Sequence, residues 1–380
     1  MWRHTAAIGF GALLLLAAAE LACQVLPVST ATDSGYYQDP MILNYPAGHR
    51  WQVSTGWDLR NPQRMHANNL GFAAEIDFIP NPQAIALIGD SYVEANMLAP
   101  EYRPAARLAA HLAAHLGTPP AAHPAADARH AAPGEITPVY ALGGPGSALL
   151  DYAERMRFAQ HRLGLRDFVL LLEPGDIRQS LCGSGNVHAA CLDPDTFAPR
   201  TETLPAPSTA KRIFRHSALA QFIVGQLKVT PARLVSQSFL DASTSTDKTA
   251  SKPPADGQEG VGLTASQAAL VDAVGRTFFA RIEPLDIRRL VIVLDGRRDR
   301  TSLAQAPKGP AGVMLERDAF MALAHQHGVV VVDAEIDFRQ HWTNSSLSLA
   351  VSPQDAHLNT LAVNLLMHRA ALALNADARY

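Results

Sequence analysis

Cysteine is scarce in this 380-residue chain, which holds only Cys23, Cys182 and Cys191. Three thiols permit one internal disulfide, and their spacing matches no familiar zinc pattern. A site built from Cys182, His188 and Cys191 would need a fourth ligand that is not evident. Long basic runs are lacking as well. Thirty-two basic residues against 35 acidic ones give a formal net charge of -3, which argues against nucleic acid as a partner. No internal repeat is found along the chain. His111 and His115 are four residues apart, but the intervening Leu112-Ala113-Ala114 lacks the glutamate of a zinc-protease helix. They read as helix-face histidines, and nothing in the pattern calls for a metal or a cofactor.

What the chain does have is apolar mass, 48% of its residues, enough for a substantial core. Arg3 and His4 precede an apolar stretch, Ala6 to Ala19, that continues through Leu21, Ala22, Val25 and Leu26 with interruptions at Glu20 and Gln24. The segment nears the roughly 20 residues that span a bilayer. Residues 1–27 therefore read as a signal anchor, or as a signal peptide cut after Ala19, where Ala17 and Ala19 supply the small residues. Glu20 sits where a lipoprotein signal ahead of Cys23 would carry an aliphatic residue. With Arg3 on the cytoplasmic side, the rest of the chain is expected to face the periplasm of a bacterial envelope. In that compartment Cys182 and Cys191 could close the polar loop between them with a disulfide. The metal site and a pair of free thiols stay open as alternatives.

Beyond this segment strands and helices alternate. Short apolar runs at Ala84 to Ile88, Val139 to Leu142, Phe168 to Leu172, Leu290 to Leu294 and Val329 to Val332 predict five buried parallel strands. Helical spacing predicts Pro104 to Leu116, Ala148 to Leu163, Ala265 to Arg281, Val313 to His327 and a last helix after Asn359. The order implies an α/β three-layer sandwich with a five-stranded parallel central sheet, flavodoxin-like in class. Residues 28–67 form an extracytoplasmic lead-in, and 68–380 form the main domain with an insertion at 178–262. Gly117 to Thr137 reads as a surface connection and Asp241 to Gly262 as a disordered one. Within the insertion, Lys211 to Val229 has apolar residues at helical spacing, which suits core packing, a membrane-proximal contact or a lid.

Two short motifs carry chemistry. Gly89-Asp90-Ser91 closes the first strand of the sheet, at the carboxyl end where parallel sheets place their ligands. Asp355-Ala356-His357 precedes the last helix, and residues i and i+2 of an extended segment project to one side. A serine hydroxyl needs a base to take its proton, and an imidazole works best with a carboxylate fixing its tautomer. Ser91, His357 and Asp355 can fill those roles. Asp295 and Asp333 also end strands, but charged strand ends commonly face solvent, and no role is assigned to them.

These motifs, with the turn Leu142-Gly143-Gly144-Pro145-Gly146 and the upstream Asn68-Asn69-Leu70-Gly71-Phe72, resemble the SGNH (GDSL) hydrolase superfamily, in particular its membrane-anchored bacterial members. The resemblance spans roughly Asn68 to Leu374. It implies Ser91 as nucleophile, His357 as base and Asp355 as its orienting acid, with the Ser91 and Gly146 N–H groups in the oxyanion hole. One element departs from the pattern. Members usually carry Asn then Asp after the third strand, and here Glu173-Pro174-Gly175-Asp176 puts Gly175 at the asparagine position. Losing a side-chain oxyanion donor costs about 10²–10³ in rate. The resemblance further implies an esterase that removes acyl groups, often acetyl, from carbohydrate or other envelope molecules or small esters. An O-acyltransferase, a lipid-ester hydrolase and a non-catalytic carbohydrate-binding scaffold are the alternatives. Asn359 reads as the cap of the last helix.

Overall fold

Apolar runs long enough to be buried on both faces make the centre of this protein a parallel sheet. The computed structural model describes residues 2–30, 39, 41–115, 137–184, 190–202, 208–227, 229, 262–298, 311–352 and 355–376. Strands are numbered along the chain: β1 (Arg50–Thr55), β2 (Arg60–His66), β3 (Ile85–Gly89), β4 (Val139–Gly143), β5 (Asp167–Leu172), β6 (Ala190–Leu192), β7 (Pro199–Thr201), β8 (Arg289–Leu294), β9 (Val330–Asp333), β10 (Ala350–Ser352) and β11 (Asp355–Leu358). Five of them form the main sheet in the order β4-β3-β5-β8-β9, with every neighbouring pair parallel.

Alternation along these strands feeds two apolar layers. Ala86, Ile88, Phe168, Leu170, Leu172, Leu290, Ile292 and Leu294 point to one face, where helices Leu149–Leu163, Ala265–Ile282 and Ala311–Gln326 cover them. Ile85, Leu87, Val169, Leu171, Val291 and Val293 point to the other, under helices Pro104–His115, Ala334–Asn344 and Thr360–Asn375. The fold is thus an α/β/α three-layer sandwich. Each fully buried Leu, Ile, Val or Phe contributes about 1.5–3 kcal/mol, so the two layers dominate stability. The expected strands and helices fall within one or two residues of the observed ones.

The chain divides into two compact units: Met1–Ser34, Trp51–Arg64 and Ala206–Val261 form the first, and Gly35–Arg50, Met65–Pro205 and Gly262–Tyr380 the second. The second holds the sandwich. In the first, one helix runs Trp2–Val25, and its stretch His4–Val25, with mean hydropathy 2.1, is long and apolar enough to cross a membrane. Three short helical segments, Thr209–His216, Ala218–Ala220 and the π-helical Gln221–Gln226, follow one another there. The connections expected at Gly117 to Thr137 and Asp241 to Gly262 lie outside the described residues, apart from Thr137 and Gly262.

Topology positions the site. The chain passes from β3 out to its neighbour β4 and then returns to β5 on the other side of β3. The loops leaving β3 and β5 therefore diverge at their carboxyl ends, and such a switch point opens a crevice. Ser91 lies two residues beyond the end of β3, after Asp90.

Candidate active site

Gly89 ends β3 because no larger residue fits there. A Cβ would approach Val93 Cγ2 to 2.6 Å and the Leu171 carbonyl oxygen to 2.8 Å. The chain turns at Asp90, whose carboxylate accepts the Tyr92 N–H at 2.8 Å and so caps the short helix Ser91–Glu94. Ser91 thus stands at the first position of a helix at the mouth of the crevice, half-buried.

His357 arrives from the far end of the sequence on β11, which pairs antiparallel with β10. Its Nε2 lies 2.9 Å from Ser91 Oγ, and its Nδ1 lies 2.6 Å from Asp355 Oδ1. Asp355 Oδ1 also accepts the His357 backbone N–H at 3.1 Å. The hydrogen bonds from His357, opposed by burial, hold the Asp355 carboxyl below the usual carboxylate range, and the nearby Arg298 charge adds to this. Ser91, His357 and Asp355 are therefore brought into one hydrogen-bonded line. Asn359, just beyond, accepts the Ala362 N–H at 3.0 Å and donates to the Ser348 and Ala350 carbonyls. It caps the last helix and ties it to the start of β10, the partner of the strand that carries the histidine.

The glycine turn after β4 is fastened to the serine turn. Gly144 N–H donates to the Gly89 carbonyl at 3.1 Å. The wholly buried Arg155, from helix Leu149–Leu163, donates to that same carbonyl at 2.8 Å, to Ser147 Oγ at 2.9 Å and to the Ile42 carbonyl at 3.0 Å. Gly144 leaves room for this guanidinium, since a Cβ there would sit 2.0 Å from Arg155 Nη2. Gly146, at φ +74°, takes a left-handed conformation that suits glycine.

Gly175 starts the short helix Asp176–Gln179 after β5. The space an asparagine would use there is filled: a Cβ would meet Gln179 Nε2 at 2.6 Å and Glu173 Oε2 at 2.8 Å, and those two side chains hydrogen-bond to each other at 3.3 Å. Burial, reinforced by Asp90 and Asp295, pushes the Glu173 carboxyl up. Asp176, also buried, accepts from Tyr152 Oη at 2.9 Å and from the Glu173 N–H at 2.9 Å, and burial beside Asp90 raises its carboxyl well above normal. Asp90, Glu173 and Asp176 thus form an acidic cluster in which burial pushes each carboxyl up.

Two neighbours were not legible in the motifs. The Tyr92 ring lies 5.0 Å from the His357 ring, and Arg298 lies 4.8 Å above the Tyr92 ring while donating to Tyr92 Oη at 2.6 Å and to Asp295 Oδ2 at 2.5 Å. Asp295, to which the sequence assigns no role, is buried and anchors Arg298. Only its place at the end of β8 hinted at this. Asp333 instead caps helix Ala334–Asn344 and pairs with Arg317. His111 and His115 pack near His368, and His111 Nε2 lies 3.1 Å from Asn364 Oδ1.

Cys182 and Cys191 are joined by a disulfide with Cα atoms 5.1 Å apart. His188, needed for the metal alternative, lies outside the described residues. Among the described residues no group of three or more His, Cys, Asp and Glu could hold a metal.

No family model matches the sequence, and no curated protein matches it. Solved structures do. LAE5, an α/β hydrolase from the metagenome of Lake Arreo, Spain, is 13% identical over 79% of this chain and 96% of its own, with a TM-score of 0.39. Est24, a carbohydrate acetylesterase from Sinorhizobium meliloti, is 10% identical over 77% of this chain and 99% of its own, at 0.35. A carbohydrate acetylesterase family member from the same organism is 12% identical over 78% and 99%, at 0.31. Likeness this distant says nothing about what the present chain acts on.

Proposed function

We propose that this chain is a serine esterase of the SGNH type, held in the bacterial envelope by its first helix and facing the periplasm. The observation that carries the proposal is the unbroken line from Ser91 Oγ to His357 Nε2 at 2.9 Å and from His357 Nδ1 to Asp355 at 2.6 Å. His357 accepts the Ser91 proton as Oγ bonds to the ester carbonyl carbon, and Asp355 stabilises the imidazolium. The Ser91 and Gly146 N–H groups take the oxyanion. Collapse of the tetrahedral adduct breaks the ester C–O bond, and His357 returns the proton to the departing alkoxide. Water, deprotonated by His357, then attacks the acyl-serine carbonyl; the acyl–Oγ bond breaks, His357 returns the proton to Ser91 Oγ, and the carboxylic acid is released. A sugar hydroxyl in place of that water would make the same apparatus an O-acyltransferase.

Acyl, chiefly acetyl, esters of carbohydrate or envelope molecules are the substrate class implied by the resemblance to the SGNH hydrolases, not by the residues themselves. The Cys182–Cys191 disulfide supports an oxidising compartment, and the apolar span His4–Val25 supports anchoring. A second reading, a non-catalytic carbohydrate-binding member of the fold, is favoured by Gly175 alone. Turnover of p-nitrophenyl acetate by the full chain distinguishes them. The esterase reading expects hydrolysis that Ser91→Ala and His357→Ala each abolish, whereas folded wild-type protein without turnover favours the binder.

A further inference from the structure

Glu20 is an oddity, a carboxylate near the end of an otherwise apolar helix. Its two oxygens accept Ser217 Oγ at 2.7 Å, the Ala218 N–H at 2.9 Å and the Leu219 N–H at 3.0 Å. It therefore caps the start of helical stretch Ala218–Gln226 from the side of another helix. At the far end of that stretch, Gln226 Nε2 donates to the Ser54 carbonyl at 2.9 Å and the Gly56 carbonyl at 2.8 Å, and its Oε1 accepts the Ser29 N–H at 3.3 Å. The stretch Ala218–Gln226 is thus held at its start by the first helix through Glu20 and at its end by Ser29 and by the end of β1 and the turn after it.

The side chains that the inserted helical segments leave outside are apolar. Ile213 and Phe214 are 67% and 61% exposed, and Ile223, Val224 and Leu227 also face outward. Leu21, Val25 and Leu26 at the end of the first helix are exposed in the same way. An apolar surface of this kind marks an interaction site. Helix Thr209–His216 combines Ile213 and Phe214 with Lys211, Arg212 and Arg215 in its sequence, the pairing of apolar and cationic residues found in helices that lie in a membrane interface rich in anionic lipid.

We propose that Thr209–Leu227 is a second membrane contact. In this arrangement Phe214, Ile213, Ile223 and Val224 enter the outer leaflet of a phospholipid bilayer, and Glu20 fixes the helix to the end of the anchor. The inference rests on reading the first helix as a membrane span. It gives Glu20 a purpose that neither a signal peptide nor an anchor requires, and it makes the inserted segment part of the mounting on the membrane.

The test uses the full chain in nanodiscs of phosphatidylethanolamine and phosphatidylglycerol, with Cys23→Ala as background. Phe214→Cys and, separately, Leu16→Cys carry an environment-sensitive NBD label, and spin-labelled lipids serve as quenchers. Emission at both positions is expected to fall about twofold or more, and Glu20→Ala is expected to relieve quenching at position 214 only. Quenching at Leu16 without quenching at Phe214 overturns the second contact and leaves the anchor standing. Absence of quenching at both overturns the anchor as well.

Discussion

At the residue scale, the proposed chemistry depends on how one hydroxyl, one imidazole and one carboxylate are held. Asp355→Asn keeps the shape but cannot fix the productive tautomer of His357, and kcat is expected to fall by roughly 10⁴ while KM changes little; steady-state kinetics on an acetyl ester check it. Gly175→Asn restores the residue type that family resemblance expects, yet its Cβ must displace Gln179 and Glu173. We predict a loss of about 1–3 kcal/mol from the overpacking and no gain in kcat, read by urea denaturation and turnover together. Glu94, buried at the end of the short helix that Ser91 begins and accepting from Tyr45 Oη at 3.0 Å, has its carboxyl pushed by burial from 4.5 up to about 7. The folded state therefore keeps a proton that the unfolded state releases. This contribution is complete below pH 4.5 and is lost as pH rises through about 7, on the order of 3 kcal/mol in all. Replacing Glu94 with Gln should flatten the stability profile across that window. An unchanged slope would contradict the assignment.

At the element scale, the sheet and the two turns around β3 decide where the site forms. Five apolar runs were readable because a parallel strand buried on both faces must be apolar throughout. The shorter pairs β6–β7 and β10–β11 were not, since three or four residues carry too little periodicity to show. Ser91, Asp355 and His357 were legible because they sit in short motifs beside those runs. Arg155, Tyr92 and Arg298 were not, because their partners are backbone carbonyls or residues far off in sequence: Arg155 binds Gly89 and Ile42, and Arg298 reaches Tyr92 across 206 positions. The consequence for Arg155 is testable. Arg155→Met removes one of the two donors, with the Gly144 N–H, that join the serine turn to the glycine turn, and it takes a donor from the Gly89 and Ile42 carbonyls. A loss of about 3–5 kcal/mol is expected, with kcat falling even at temperatures where the variant is folded. At the opposite end of the sheet Asp167, fully buried, joins the starts of β5 and β8 through Arg288 and Arg289. Asp167→Ala should cost a similar amount of stability, and because it is remote from Ser91, turnover of the folded fraction should be unchanged.

At the scale of the whole molecule, the α/β/α sandwich that carries the proposed esterase site is joined in one chain to a helix apolar enough to cross a bilayer. Full-length protein should resist extraction from membranes by alkaline carbonate, and removal of residues 1–27 should release it; extraction of the full chain would contradict the anchor. The central claim concerns Ser91, and the most direct measurement is covalent. A fluorophosphonate probe reacts with a serine only when a base has activated it and donors receive the oxyanion. Incubation of the full-length protein followed by peptide mass mapping is predicted to place one phosphonyl adduct on Ser91, with labelling lost in His357→Ala despite the retained hydroxyl. Folded wild-type protein that stays unlabelled, or an adduct on any other serine, would contradict the assignment of this site as a serine esterase.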